Sequence, residues 1–339
     1  MKKYSNKAVI DSLNLPTMTD FGELIQHLRL DGKLVYWLAS NANEKYKVHY
    51  IKKSNGGLRE ISSPVQSLKI VQRWILDNIL SKIKVSPYSY GFQKSNCGSP
   101  LLCCAEKHRR NLYIMKIDIK DFYPSIKREK VFFTFTDIGY NAVIANILAN
   151  LCTHKDSLPQ GAVTSAYLAN LICRNLDYRI AGLCNRRDIV YTRYADDLVF
   201  SSDNRDSLKR IYGFVQSIVS SEGFVINDNK TQFLSPGTRK QVLGITVNDN
   251  LIKAPKDMKR MVRAMIYKTI VSGDYSAYSV IKGYISYIGS IEKDYVSKVK
   301  KYILNFYDPK THLDVSLIEA YNRNKFFSDM PDMIYVVNS

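Results

Sequence analysis

DIVYTRYADDLVFSS, residues 188–202, is the stretch on which the reading of this chain turns. Ile189, Val190 and Tyr191, then Leu198, Val199 and Phe200, are apolar β-formers, and Tyr194-Ala195-Asp196-Asp197 lies between them. Two short apolar runs around a tight turn predict a β-hairpin. Its tip carries two adjacent carboxylates in an apolar setting, where unpaired like charges are costly. A cation is expected to neutralise them, and Mg²⁺, which takes carboxylate and phosphate oxygens together, suits the position. The dipeptide alone fits a turn that faces water better than a metal site, so the rest of the chain has to decide.

Composition narrows the choice. A chain of 339 residues suits about two domains. Its 49 Lys and Arg exceed its 31 Asp and Glu, giving a net charge of +18 that favours a polyanionic partner, nucleic acid before an acidic membrane surface. The 24 tyrosines include faces on which bases could stack, although packing accounts for most of them. Cysteines at 97, 103, 104, 152, 173 and 184 show no C-x-x-C spacing, which speaks against a zinc site. Met1-Lys2-Lys3 is followed by polar residues rather than the apolar core of a signal peptide, and no apolar run approaches membrane-spanning length. A cytoplasmic protein without a membrane partner is expected.

Outward from the hairpin, residues 1–40 read as helical, with Thr19 or Asp20 as a cap, and carry no evident chemistry. Residues 46–62 predict a second hairpin around Asn55-Gly56-Gly57, with Lys52, Lys53 and Arg59 near its tip. Such a tip could be a cationic flap over a triphosphate or an ordinary solvated turn. Val65, Leu68, Val71, Ile75, Ile79 and Ile83 recur at helical spacing over 65–84. Residues 112–123, LYIMKIDIKDFY, read as a buried strand with Asp118 near its end and Pro124 stopping it. A long helix is expected from about Val163 to Cys184, another near 205–221, and a strand at about 241–247, QVLGITV. The resulting β-α-β-β-α-β order is a split βαβ fold, which sets the first strand beside the hairpin. Asp118 then joins Asp196 and Asp197 on one surface, where three carboxylates can hold two Mg²⁺ ions for in-line phosphoryl displacement.

Tyr-x-Asp-Asp on a hairpin, the upstream Asp118-x-x-x-Phe122-Tyr123 and the loop Leu158-Pro159-Gln160-Gly161 occur in the order of reverse transcriptase motifs. Over roughly residues 45–305 the chain resembles bacterial reverse transcriptases, and most closely those of retrons; TRYADDLVFS, LPQGAVTSAYLANLIC and DIKDFYPS look like retron blocks. The resemblance implies an α+β right-hand polymerase with fingers, a palm built on a split β-α-β sheet, and a helical thumb. It makes Asp118, Asp196 and Asp197 metal ligands, with the Ile119 carbonyl a further candidate. Tyr123 would reject the ribonucleotide 2′-hydroxyl, Gln160 would touch the incoming nucleotide, and Lys52 (or Lys53) with Arg59 would grip its β- and γ-phosphates. Lys230, in NDNKTQF, matches a lysine that protonates pyrophosphate, and Gly244 lies in the primer-grip strand. The chain departs from the retron pattern at three points. Cys104 replaces Asn in Asn-Ala-x-x-His, of which Ala105 and His108 remain; Leu243 replaces Thr in Val-Thr-Gly; and Ala166 stands where proline is usual. His108 is expected to be among the nucleic-acid contacts.

Residues 251–307 read as a helical thumb, with an apolar stripe of Met258, Met261, Val262, Met265 and Ile266. Lys256, Lys259, Arg260 and Arg263 surround it and suggest a face that tracks a nucleic-acid backbone. The expected organisation is an N-terminal helical extension at 1–45, fingers and palm at 46–250, thumb at 251–307 and a tail at 308–339. No ribonuclease H segment is recognised. The expected activity is an RNA-directed DNA polymerase using dNTPs and two Mg²⁺ ions. It would copy part of a cognate structured non-coding RNA into branched msDNA from an RNA 2′-hydroxyl, and would serve with a separate effector protein in antiphage defence. The rivals are another defence-associated reverse transcriptase without retron RNA, and a vestigial polymerase acting as a binding scaffold.

Overall fold

The structure, a computed structural model, describes residues 6–52, 56–93 and 99–304. Lys53 and the expected tail at 308–339 lie outside the described residues. The chain opens with helices α1 (Lys7–Ser12), α2 (Phe21–Leu28) and α3 (Gly32–Ser40). Helix α2 starts as a reciprocal cap: the Asp20 carboxylate accepts from the Glu23 amide, and the Glu23 carboxylate accepts from the Thr19 amide. Strands β1 (Tyr46–Lys52) and β2 (Leu58–Pro64) form a separate antiparallel hairpin, followed by α4 (Gln66–Asn78). Next come α5 (Pro100–His108), β3 (Tyr113–Asp118), the single turn α6 (Phe122–Ser125), α7 (Arg128–Ile138) and α8 (Ala142–Cys152). The helix expected over 163–184 is two helices, α9 (Ser165–Ile172) and α10 (Arg174–Asn185), which meet at Cys173. The predicted central hairpin is β4 (Val190–Tyr194) and β5 (Asp197–Ser202), and α11 (Arg205–Ser221) follows it.

The main sheet runs β4-β5-β3-β6 with every neighbour antiparallel, β6 being Gln232–Leu234. Strand β5 has only its first residue part-exposed, as a central strand covered on both faces should. The fourth strand of this sheet is therefore β6 and not the 241–247 run. That run folds back on itself as β7 (Gln241–Val242) and β8 (Ile245–Asn248), and β9 (Leu251–Lys253) pairs with β8 in a separate three-stranded sheet. Leu243 and Gly244 both have positive φ, 51° and 80°, the conformation of a two-residue hairpin turn. The apolar run hid that turn because Leu243 itself takes the left-handed position. Gly244 sits at the turn and not within a strand.

The described chain divides into two compact units, one of residues up to 93 with 111–238, the other of 99–110 with 239–304. In the first, Ile10, Leu24 and Val35 share one hydrophobic core with Ile75, Ile117, Leu148, Leu176, Phe200 and Val215, so the N-terminal helices pack as part of this unit. The second unit closes with α12 (Lys256–Ser272), α13 (Tyr278–Ile291) and α14 (Tyr295–Leu304) around Val262, Ile266, Ile281, Ile285, Ile288 and Val299. Of the expected apolar stripe on α12, Val262 and Ile266 are buried while Met261 is exposed.

Candidate active site

The end of β3 and the turn between β4 and β5 meet within the first unit. Tyr194 and Asp197 are register partners, so Ala195 and Asp196 form the two-residue turn. Asp197 is paired across the sheet with Asp118. Past the end of β3 the Ile119 amide donates to the Asp196 carbonyl at 2.9 Å, which ties the turn to the neighbouring strand. On the other side of Asp118 the Asn227 amide donates to its carbonyl at 2.8 Å, and Asn227 Nδ2 donates to its Oδ2 at 3.3 Å. Lys230 Nζ donates to Asp118 Oδ1 at 2.8 Å. The five residues named from sequence for metal and catalysis, Asp118, Ile119, Asp196, Asp197 and Lys230, are thus assembled in one place.

Burial and mutual repulsion set the electrostatics. Burial, then the neighbouring Asp196 carboxylate, pushes Asp197 up to about 6. Burial also raises Asp196, with Asp118 adding to the effect and Lys230 and Arg59 opposing it. The hydrogen bond to Asp118 holds Lys230 above its ordinary value, so its ammonium persists at neutral pH. Among the described residues no three His, Cys, Asp or Glu side chains close into a ready metal cage. The donors are instead an open set of hard carboxylate oxygens short of positive charge. That suits a divalent ion which fills the rest of its shell with water and substrate phosphate.

Tyr123 follows on α6, packed edge-on against Phe122 with ring centroids 5.3 Å apart. Burial raises its phenol well above the ordinary value, and the nearby Asp196 carboxylate adds to this. Gln160 is held through its backbone: its carbonyl accepts from the Ser62 amide on β2 at 2.8 Å. Gly161, at φ 121°, allows that contact, because a Cβ there would lie 2.9 Å from Ile61 Cγ2. Arg59 and Lys52 stand exposed on the β1–β2 hairpin, opposite Ile51 and Leu58 respectively.

Residues 51–247 match the family described as "Reverse transcriptase (RNA-dependent DNA polymerase)". The chain belongs to that family. It is 34% identical to the retron Ec86 reverse transcriptase of Escherichia coli over 88% of this chain and 95% of that protein. It is 32% identical to the retron Mx65 reverse transcriptase of Myxococcus xanthus over 76% of this chain and 64% of that protein. A telomerase from Candida albicans, solved with a fragment of telomeric RNA, shares the fold at a TM-score of 0.51 and 12% identity, over 84% of this chain and 58% of that one. The chain is therefore a retron-type reverse transcriptase, an RNA-directed DNA polymerase with the right-hand fold. Reverse transcriptases generally use divalent metal ions, in keeping with the open carboxylate set.

The remaining expected nucleic-acid contacts of this reverse transcriptase lie in the second unit. One of them is corrected. His108 is fully buried in α5, which packs on β7 and β8, and burial lowers it to about 3, so it is neutral and has no surface to offer a phosphate. Lys259 is part-buried, and its ammonium is taken up by Glu292 Oε1 at 2.8 Å, an atom that also accepts from the Ala254 amide. Lys256, Arg260 and Arg263 are exposed along α12, Arg263 with its guanidinium over the Tyr302 ring. Sequence reasoning missed two features. Asn227 is an ordinary polar residue in a loop and nothing local marks it. Arg193 did leave a signal, a charge inside the apolar run VYTRY, and it lies beneath the turn in a buried pair with Asp177.

Proposed function

We propose that this reverse transcriptase copies part of a cognate structured non-coding RNA into branched msDNA, primed from an RNA 2′-hydroxyl. The observation that carries the polymerase site is the pairing of Asp118 with Asp197 beside the Asp196 turn. The similarity to the retron Ec86 enzyme, spanning 95% of that protein, supports the retron product. Asp118, Asp196, Asp197 and the Ile119 carbonyl would hold two Mg²⁺ ions. Bound there, the ions would activate the attacking hydroxyl and stabilise the leaving pyrophosphate.

The side chains do the rest. Lys230, kept protonated by Asp118, delivers a proton to the departing pyrophosphate. Arg59 and Lys52, on the β1–β2 hairpin, clamp the β- and γ-phosphates of the dNTP. Gln160 borders the base and sugar, and Tyr123 closes the space beneath the 2′-carbon. Lys256, Arg260 and Arg263 track the backbone of the template–primer duplex. The enzyme works in the cytoplasm beside a separate effector in antiphage defence; no helix among the described residues is long and apolar enough to cross a membrane.

The test starts from protein purified from its native host. Its nucleic acid is digested with RNase, labelled at the DNA 5′ end and treated with a debranching enzyme. One defined DNA species whose mobility shifts on debranching is the expected result. Unbranched DNA of mixed sequence would reject the retron product and keep the polymerase. Failure to extend a supplied primer on an RNA template, with no DNA bound, would favour a binding scaffold.

A further inference from the structure

Arg193 is first among the largest fully buried side chains of the described structure, and it immediately precedes the Tyr-x-Asp-Asp turn. Its Nε and Nη2 donate to Oδ1 and Oδ2 of Asp177 on α10 at 2.7 and 2.8 Å. Nη1 donates to Asn170 Oδ1 on α9 at 3.1 Å and to the Ala195 carbonyl in the turn at 3.3 Å. Tyr191 completes the Asp177 shell through its hydroxyl at 2.8 Å. Asn170 also accepts from the Ser89 hydroxyl and donates to the Gly91 carbonyl, at 2.9 and 2.8 Å. The backbone of Arg193 exchanges hydrogen bonds with Tyr88 and Tyr90. The 88–91 segment is seated directly on the turn, since a Cβ at Gly91 would lie 3.1 Å from the Ala195 nitrogen.

One guanidinium therefore joins α9, α10, the 88–91 segment and the turn. A buried ion pair is a poor way to gain stability, because apolar residues of similar volume do as well or better. The turn has a specific need for it. Ala195 sits at φ 54°, a left-handed conformation that a Cβ disfavours, and the carboxylates on its C-terminal side repel one another. The Ile119 amide holds the Asp196 carbonyl, and Arg193 holds the Ala195 carbonyl. A lysine could not serve, since a single ammonium lacks the rigid fork that meets Asp177 and reaches the turn together.

We infer that Arg193 is a positioning residue for the metal carboxylates. Locked by Asp177 and Asn170, its guanidinium fixes the Ala195 carbonyl and so keeps Asp196 and Asp197 aligned with Asp118. The inference rests on those three carboxylates being the metal ligands, as proposed above.

The test compares the wild type with Arg193→Met/Asp177→Leu/Tyr191→Phe, which removes the buried charges and the hydroxyl that would lose its acceptor. Arg193→Lys is the second variant, should the first not fold. Amide exchange is first measured without metal. Exchange at Ile119, whose N–H is bound to the Asp196 carbonyl, is expected to quicken about tenfold or more while the α11 amides keep wild-type rates. Primer extension is then measured against metal concentration, and the half-saturating concentration is expected to rise about 10- to 100-fold, the usual consequence of losing an outer-shell partner. Both changes are required. Unaltered exchange at Ile119, uniform quickening throughout the unit, or an unchanged metal midpoint would each overturn the assignment. If the wild type showed no metal-dependent extension at all, the polymerase reading would fail, while the exchange data would still report whether Arg193 holds the turn.

Discussion

Asp118 lies directly opposite Asp197 in the antiparallel register of β3 and β5. The sheet thus forces together two carboxylates from distant parts of the sequence, and Asp196 in the adjoining turn adds a third. Repulsion is built into the site before any ligand arrives, and in the proposed function a bound cation would relieve it.

Replacing both turn carboxylates, Asp196→Asn with Asp197→Asn, should abolish polymerisation and leave the fold intact. Losing several kcal/mol of charge stabilisation lowers the rate by about a thousandfold or more. Because burial and repulsion disfavour both charges, the metal-free variant should melt no lower than wild type. Primer extension and a thermal melt check the two halves, and undiminished extension would remove these residues from the reaction.

Lys230→Met takes away the ammonium bound to Asp118. A lost general acid costs about 10²- to 10⁴-fold, so the single-turnover rate should fall by at least about a hundredfold. The loss of rate should exceed any loss of nucleotide affinity, because the ammonium is bonded to Asp118. A variant that loses affinity and keeps its rate would make Lys230 a phosphate contact instead.

Tyr123→Ala should admit ribonucleotides. The ring is packed on Phe122 close to Asp196, and truncating it opens space next to the carboxylates. Incorporation of each rNTP relative to its dNTP is the measurement. A ratio equal to the wild type's would place sugar selection elsewhere.

His108 predicts an acid sensitivity of the fold. Its folded value, about 3, lies below the ordinary 6.5, so the unfolded chain binds a proton that the folded chain refuses. Stability is fully retained above pH 6.5 and is lost as pH drops from 6.5 towards 3. At pH 5 the loss is about 2 kcal/mol, from 1.36 kcal/mol per pH unit. Denaturant midpoints at pH 7 and pH 5 should therefore converge in His108→Gln relative to wild type. An equal drop in both proteins would disprove the assignment.

Short apolar β-forming runs and a tight turn exposed the β4–β5 hairpin, and an apolar run exposed the burial of β3, because such runs are written in neighbouring residues. The placement of Asp118 beside the turn also followed from element order, since few topologies accommodate β-α-β-β. The fourth strand did not follow. Gln232–Leu234 is too short to show a period, whereas the longer run at 241–247 looked like a strand while turning back at Leu243-Gly244.

What the sequence determined by itself was local: the β4–β5 hairpin and the buried strand β3, the turn that carries carboxylates, and the charge of +18 that calls for a polyanion. Tertiary structure alone decided which charges are satisfied and where. His108 and the basic residues after it look alike in the sequence, yet His108 is buried against β7 and β8. Arg193 looks like a stray charge in a strand until Asp177 and Asn170 are brought to it from two other helices. The physical reason is that a side chain's solvation and its hydrogen-bond partners are set by residues distant in the chain, whereas backbone periodicity is set by those adjacent to it.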